Sequence, residues 1–317
     1  MASEQSKSTR RTVLIAGAAN IIVGLAKLVA GLLTGSSAML AEAAHSAADT
    51  LNQGFLLTSL RRAERPADAE HPFGHGQERY FWSLLAAFGI FIAGGGFSIF
   101  EGLMSLSRPA SDPTIAYIVL AIAFVAEGVS LLRAYRQVHG EAKSQQSELL
   151  EHVQQSPDTT VKATLFEDTA AVLGLVLAGG GLALQELTGS AVWDGGASIA
   201  IGVLLIAVAI KLGADSRSLL IGRAAGAREL EQIKKEIEQT PGVDALLEVL
   251  TMYLGPDHLI VAARIDLNDE LSADRAEQLA DDIDRRLSEK LPQTPHVFID
   301  PTHTKAQPAA EHAGGHT

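Results

Sequence analysis

Six apolar stretches, each long enough to cross a bilayer as a helix, constrain this chain more than any other feature of it. A bilayer's hydrocarbon core takes about 20 residues of helix, and residues 12–34, 38–60, 80–106, 113–137, 161–187 and 191–214 all reach that length. Backbone groups in lipid must be satisfied within the segment or a closed barrel, so such runs are read as helices. Hydrophobic residues make up 47% of the chain. Mean hydropathy is +0.17 although the last third is visibly charged, so the apolar residues are concentrated in these runs. The opening MASEQSKSTRR is short, polar and basic. The run after it is too long for a signal-peptide core and is expected to stay as the first span. The same opening has no transit-peptide character, which points to a bacterial inner membrane.

Loop charges set the expected orientation. Basic residues occur before the first run (Lys7, Arg10, Arg11), between the second and third (Arg61, Arg62, Arg65, Arg79), around the fourth-to-fifth connection (Arg133, Arg136, Lys143, Lys162) and after the sixth (Arg217, Arg223, Arg228). The alternate connections, near 35, 108 and 189, hold only Arg108. By the positive-inside rule both termini are cytoplasmic. Glycines punctuate the runs: Gly17, Gly24 and Gly31 at heptad spacing, then Gly94 to Gly96 and Gly179 to Gly181. They are expected to let helices pack closely.

After about residue 225 the pattern becomes that of a small α+β domain. RELEQIKKEIEQ and SADRAEQLADDIDRRLSEKL read as amphipathic helices, the second with Ser272 as its N-cap. ALLEVLTMYLG, HLIVAARIDL and HVFID read as strands. The expected organisation is a cytoplasmic N-terminus (1–11), a six-helix transmembrane domain (12–214), a cytoplasmic α+β domain (215–305) and a disordered Ala/Pro/Gly/His-rich tail (306–317). Residues 225–305 hold 17 Asp/Glu against 9 Lys/Arg, an excess of eight that is two-thirds of the net charge of −12. An acidic soluble part argues against nucleic acid as a partner. With no cysteine in the chain, any metal must be held by His, Asp, Glu or backbone oxygen.

A carboxylate at the centre of a spanning helix costs roughly 2.5–3.5 kcal/mol on insertion scales, so those kept there are functional candidates. In the second span Glu42, His45, Asp49 and Asn52 follow one another at three- and four-residue steps and share one helical face. His45 and Asp49 can close on one ion, and an imidazole with a carboxylate suits zinc. In the fifth span Thr164, Glu167 and Asp168 are expected on a common face, giving a second half-site. Either Thr164 or Glu167 could complete the shell. Because a hydroxyl is the poorer zinc ligand and an unpaired Glu167 would be costly, Glu167 is favoured. A histidine beside carboxylates can also exchange a metal for a proton.

A further group lies in the loop PADAEHPFGHGQERYFW, where Asp68, His71 and His75 fall within eight residues and Gly74 and Gly76 give the loop freedom to close. Other polar residues read as structural. Lys27 is expected to snorkel, and Glu127 either faces the bundle or snorkels. Asp194 is expected to favour the dipole of the sixth span that it opens. His303, His312 and His316 are expected to do nothing specific.

GLLTGSSAMLAEAAHSAADTLNQ, HPFGHGQERYFW and the layout of six spans plus an α+β tail resemble the cation diffusion facilitator family over residues 10 to 304. The resemblance implies a homodimeric metal/proton antiporter, not an enzyme, which exports a divalent cation by alternating access. Its transmembrane ligands map onto His45, Asp49 and Asp168, with the ion between spans two and five. The loop site of several bacterial members maps onto Asp68, His71 and His75. The cytoplasmic domain is expected to have a metallochaperone-like fold. Zinc is the expected cargo and, in the loop, the expected bound ion. Manganese or iron export, or a non-transporting metal-sensing subunit, are the alternatives.

Two departures from the family pattern stand out. Thr164-Leu-Phe-Glu-Asp168 replaces the H-x-x-x-D of zinc-transporting members, giving a Glu-Asp branch with a harder site. In the C-terminal domain, Leu247, Ala263, Glu277 and Phe298 stand where relatives place metal-binding histidines, and only Asp300 is retained. That domain is therefore expected to dimerise with little or no metal.

Overall fold

The computed structural model describes residues 20–106, 113–144, 153, 157–291 and 296–302. The expectations for the N-terminal segment, the start of the first span, Gly17, Arg108 and the histidine-bearing tail fall outside these residues. The chain divides into two compact units between Leu220 and Ile221. The last long helix thus runs past residue 214, where the apolar run ends, through a stretch holding Asp215 and Arg217.

The first unit is helical: α1 (Asn20–Thr34), α2 (Ser37–Ala63), α3 (Glu78–Ser105), α4 (Thr114–Ser144), α5 (Thr159–Thr188) and α6 (Val192–Leu220). By length and composition, helices in α3 to α6 are sufficient to cross a membrane. The 27-residue α2 is long enough but too polar to score on composition. Its polar side is turned inward, with Glu42, His45, Ser46 and Asp49 buried, while Leu51 is exposed. Many large apolar side chains of the bundle point outward, Ile22, Leu32, Ile92 and Val125 among them. That is the pattern of a lipid-facing surface, and the chain is a multi-pass membrane protein.

Small residues decide which helices touch. A Cβ on Gly24 would lie 3.0 Å from Ser46 Cβ and one on Gly31 2.8 Å from Leu40, so α1 lies close on α2 at both glycines. The middle of α3 is a π-helical segment, Ile90–Gly96. There Gly95 and, two turns on, Gly102 meet Gly202 and Gly195 of α6. A Cβ on Gly102 would be 2.7 Å from Gly195 O, and one on Gly202 2.8 Å from Gly95 O. Between these pairs Ser198 Oγ donates to Ser98 O (2.7 Å). From the Gly179–Gly181 triplet only Gly181 abuts a neighbouring helix, at Ala197 and Trp193 of α6.

Asp194 is structural and lies in the first turn of α6 as expected, and it serves a second helix as well. It accepts from Ser36 Oγ (2.6 Å), Ser37 N (2.5 Å) and Ser37 Oγ (2.8 Å). These groups form the N-terminus of α2, whose own cap is Ser36 Oγ accepting from Met39 N. A buried carboxylate there satisfies amides left without intrahelical partners and complements the positive end of α2.

The second unit has α7 (Ala227–Glu238), β1 (Val243–Gly255), β2 (His258–Leu267), α8 (Ala273–Lys290) and β3 (His296–Pro301). Antiparallel β1 and β2 are joined through Gly255 and His258, and β3 pairs parallel to β2. Ser272 caps α8 by accepting from Arg275 N. Ile233, Ile237, Leu279, Ile283 and Leu287 of the helices form the apolar core with Leu259, Val261 and Ile265 of β2. Glu236 ties the helices together, bonded by Lys290 and by Arg286. These hydrogen-bonded cations hold its carboxyl below the usual range.

Candidate metal centre

The second span supplies the first half of the site. One turn of α2 separates His45 from Asp49, placing Nε2 of one 3.5 Å from Oδ2 of the other. His45 is 1% exposed and neither ring nitrogen has a hydrogen-bond partner; Asp49 Oδ1 has none either. Buried polar atoms are nearly always bonded, so an unoccupied imidazole and carboxylate in adjacent positions fit a cation that binds to them.

The fifth span brings Glu167 and Asp168 towards α2 and α4. Glu167 is buried, and Asn52 Nδ2 donates to both of its oxygens at 2.6 Å. Asp168 accepts from Ser130 Oγ at 2.8 Å. Thr164 does not share this environment. It is exposed, and its hydroxyl returns to Thr160 O of its own helix (3.0 Å). Helical spacing put Thr164 and Asp168 on one face, but residue 168 is only half-buried at the edge of that face, and a four-residue step rotates outward from it. No three of His45, Asp49, Glu167 and Asp168 present ligand atoms within 4.8 Å of one another; among the described residues the loop triad alone does so. The bundle therefore holds two halves, one on α2 whose ligand atoms are left open and one on α5 whose carboxylates are held by Asn52 and Ser130.

A small cavity leads away from these halves. Asn52 and Glu167 line it deep in the bundle, and Thr159, Lys162 and Asp215 line it nearer the ends of α5 and α6. Lys162 Nζ lies 3.8 Å from Asp215 Oδ2 across it.

In the loop, Asp68 Oδ1 lies 3.3 Å from His71 Nδ1, and Asp68 Oδ2 lies 3.7 Å from His75 Nε2. The two imidazole rings are 4.4 Å apart between centroids. Asp68 Oδ1 also accepts from the backbone N–H of His71 (2.7 Å) and of Glu70 (3.0 Å), folding the loop back on itself. These bonds hold the Asp68 carboxyl below its usual range. Gly74, at φ +83°, makes the turn that returns His75 to the group. Two imidazoles and one carboxylate with an open side suit zinc.

Residues 13–221 match the cation efflux transmembrane domain, and residues 226–301 match the cation efflux protein cytoplasmic domain. The chain belongs to the cation diffusion facilitator family. A proton-coupled zinc antiporter, SLC30A9, of Xenopus laevis is 34% identical over 83% of this family member and 47% of its own length. Metal tolerance protein C4 of Arabidopsis thaliana is 34% identical over 83% of this chain and 58% of its own. The manganese efflux system protein MneS of Bacillus subtilis is 25% identical over 95% and 99%. This facilitator thus spans about half the length of the first two relatives.

The facilitator's bundle also holds an ionic group that sequence reasoning missed. Lys27 does not snorkel; it is fully buried and its Nζ sits 3.1 Å from Glu42 Oε2 and 3.6 Å from Glu127 Oε1. The signal was available, because Lys27 lies too near the middle of the 12–34 run to reach either surface with its stem. Ser130 was missed too, although it follows Glu127 by three residues on the same face of α4.

Proposed function

We propose that this family member exports a divalent transition-metal ion, zinc first, from the cytoplasm in exchange for protons. It does so as a homodimer in a bacterial inner membrane, with both termini cytoplasmic. The observation that carries this reading is the buried His45–Asp49 pair, with neither imidazole nitrogen hydrogen-bonded inside a membrane bundle. A deprotonated pair takes the ion together with Asp168 and Glu167 once α2 and α5 draw together. The same atoms take protons when the site opens to the other side, so metal and protons occupy one set of groups in turn. The cavity past Lys162 and Asp215 supports access from the cytoplasmic end. The loop triad supports a bound zinc that steadies the connection between α2 and α3. Sealed vesicles containing the purified protein should accumulate Zn2+ when a proton gradient is imposed and release protons in step. Vesicles that take up no metal under any gradient would leave only the sensing alternative.

Manganese remains the second reading on one observation: three of the four groups are carboxylates, which suit harder ions better than a two-histidine site does. Zn2+ and Mn2+ competition in the same vesicles ranks the two.

Dimerisation without metal is proposed for the second unit. Leu250, Ala262 and Phe298 lie in one row across β1, β2 and β3, and Leu250 and Phe298 are exposed. In the next row Arg264 pairs with Asp300 (3.0 Å) and Glu248 (3.4 Å), so the one retained ligand position already holds a guanidinium. Residues 221–305 expressed alone should sediment as a dimer in chelator, and a zinc titration should show no tight stoichiometric site. A monomer in chelator that dimerises on adding zinc would overturn this.

A further inference from the structure

The Lys27 group has the composition of a cation site. Three oxygens surround the ammonium: Glu42 Oε2 and Ser46 Oγ at 3.1 Å, and Glu127 Oε1 at 3.6 Å. They come from α2 and α4, and the ammonium comes from α1. Lys27 and Glu42 are completely buried, and Glu127 is nearly so. Glu42 has capacity to spare. Its second oxygen, Oε1, is buried without a hydrogen-bond partner and lies against Gly174 of α5, where the missing side chain leaves room for it. The formal charges do not balance, since two carboxylates face one ammonium. A divalent ion would balance them, and uncompensated charge within a membrane bundle is costly.

We propose that Glu42, Ser46 and Glu127 form a second intramembrane site for a hard divalent cation, and that this protein fills it with its own Lys27 ammonium. The donor set is all oxygen, so the class of ion it takes is that of Mn2+, Mg2+ or Ca2+ rather than zinc. Metal–oxygen bonds of about 2.0–2.6 Å need the two carboxylates to close only modestly on the present Nζ position. Glu42 precedes His45 by a single turn of α2, so the ammonium acts as a tethered ion at the end of the path through Asn52, Asp49 and His45. Where the exporter reading holds, Lys27 denies the cargo an acidic trap one turn beyond its binding pair. The site itself does not depend on that reading.

The full-length protein, purified in detergent and equilibrated with Mn2+, tests this by metal count per chain. Lys27→Met should hold one Mn2+ more than the parent. Lys27→Arg, which keeps the cation, should match the parent. Adding Glu42→Gln or Glu127→Gln to Lys27→Met should remove the extra ion. A folded Lys27→Met protein with the parent's count overturns the proposal, and so does an extra ion that persists in the double variants. If Lys27→Met folds only when Mn2+ is supplied, the cage has been refilled and the proposal stands. If it is unfolded with and without Mn2+, the cage cannot take a divalent ion and the proposal fails. The parent's own count reports on the His45–Asp49 and loop readings together, and the difference between variant and parent reports on the cage alone, so the cage and those readings fail separately.

Discussion

Asp49→Ala is expected to reduce proton-driven metal uptake to the leak of empty vesicles, with the variant still eluting as the parent does. His45 would keep its place one turn away but lose the carboxylate that lies 3.5 Å from its Nε2. The other carboxylate one turn from His45 on α2, Glu42, is paired with Lys27, and the α5 half by itself offers only carboxylates. The loop gives the contrast. His71→Ala combined with His75→Ala removes two of the three ligands outside the bundle, where Asp68 and His71 are both more than half exposed. That variant should transport with weaker apparent affinity or poorer coupling, not stop. Uptake at the parent rate by Asp49→Ala would end the assignment of the transmembrane site. Abolished uptake in the loop variant, with Asp49→Ala active, would reverse the roles of the two groups.

Glu167→Gln is the second change with a large expected effect. Glu167 is buried and held at both oxygens by Asn52. The amide would be isosteric but neutral, and one of its ends would oppose the Asn52 amide donor–donor. Metal affinity or transport should fall by about ten- to a hundredfold, the range seen when groups orienting a metal site are altered. Thr164→Ala should change stability by no more than about 0.5 kcal/mol, as exposed positions do, and leave transport near the parent rate. Helical spacing alone expects Thr164→His with Glu167→Ala to restore a second imidazole and recover zinc transport. The outward placement of Thr164 removes that expectation, so the double variant should stay inactive. Normal transport by Glu167→Gln together with loss in Thr164→Ala would show that the hydroxyl, or water held by it, belongs to the site.

Much of this was legible because a bilayer is a demanding solvent. Length and apolarity marked the helices, and the cost of charge at their centres singled out His45, Asp49, Glu167 and Asp168. The loop triad was legible for another reason: its three ligands lie so close in sequence that short turns at Asp68 and Gly74 suffice to bring them together. The α+β domain followed from the change in period after residue 225, with Ser272 capping α8 as its position before an amphipathic run suggested.

Contacts between helices followed from none of these signals. Spacing says which residues share a face of one helix, but not which neighbour that face meets. Only the packed bundle shows that Asn52 of α2 holds Glu167 of α5, that Ser130 of α4 holds Asp168, and that Thr164 turns away from both. Asp194 shows the same limit. Its place in the first turn of α6 was legible, but not that the carboxylate also serves α2, because the short connection after α1 brings Ser36 and Ser37 beside it. Lys27 depends most on packing. By its sequence it was a cation with a long stem in an apolar run, but Gly24 and Gly31 let α1 lie close enough on α2 to enclose it between Glu42 and Glu127. Chemistry was set by residue type and spacing along single helices. Pairing was set by which small residues let particular helices approach, and that is a property of the assembled fold.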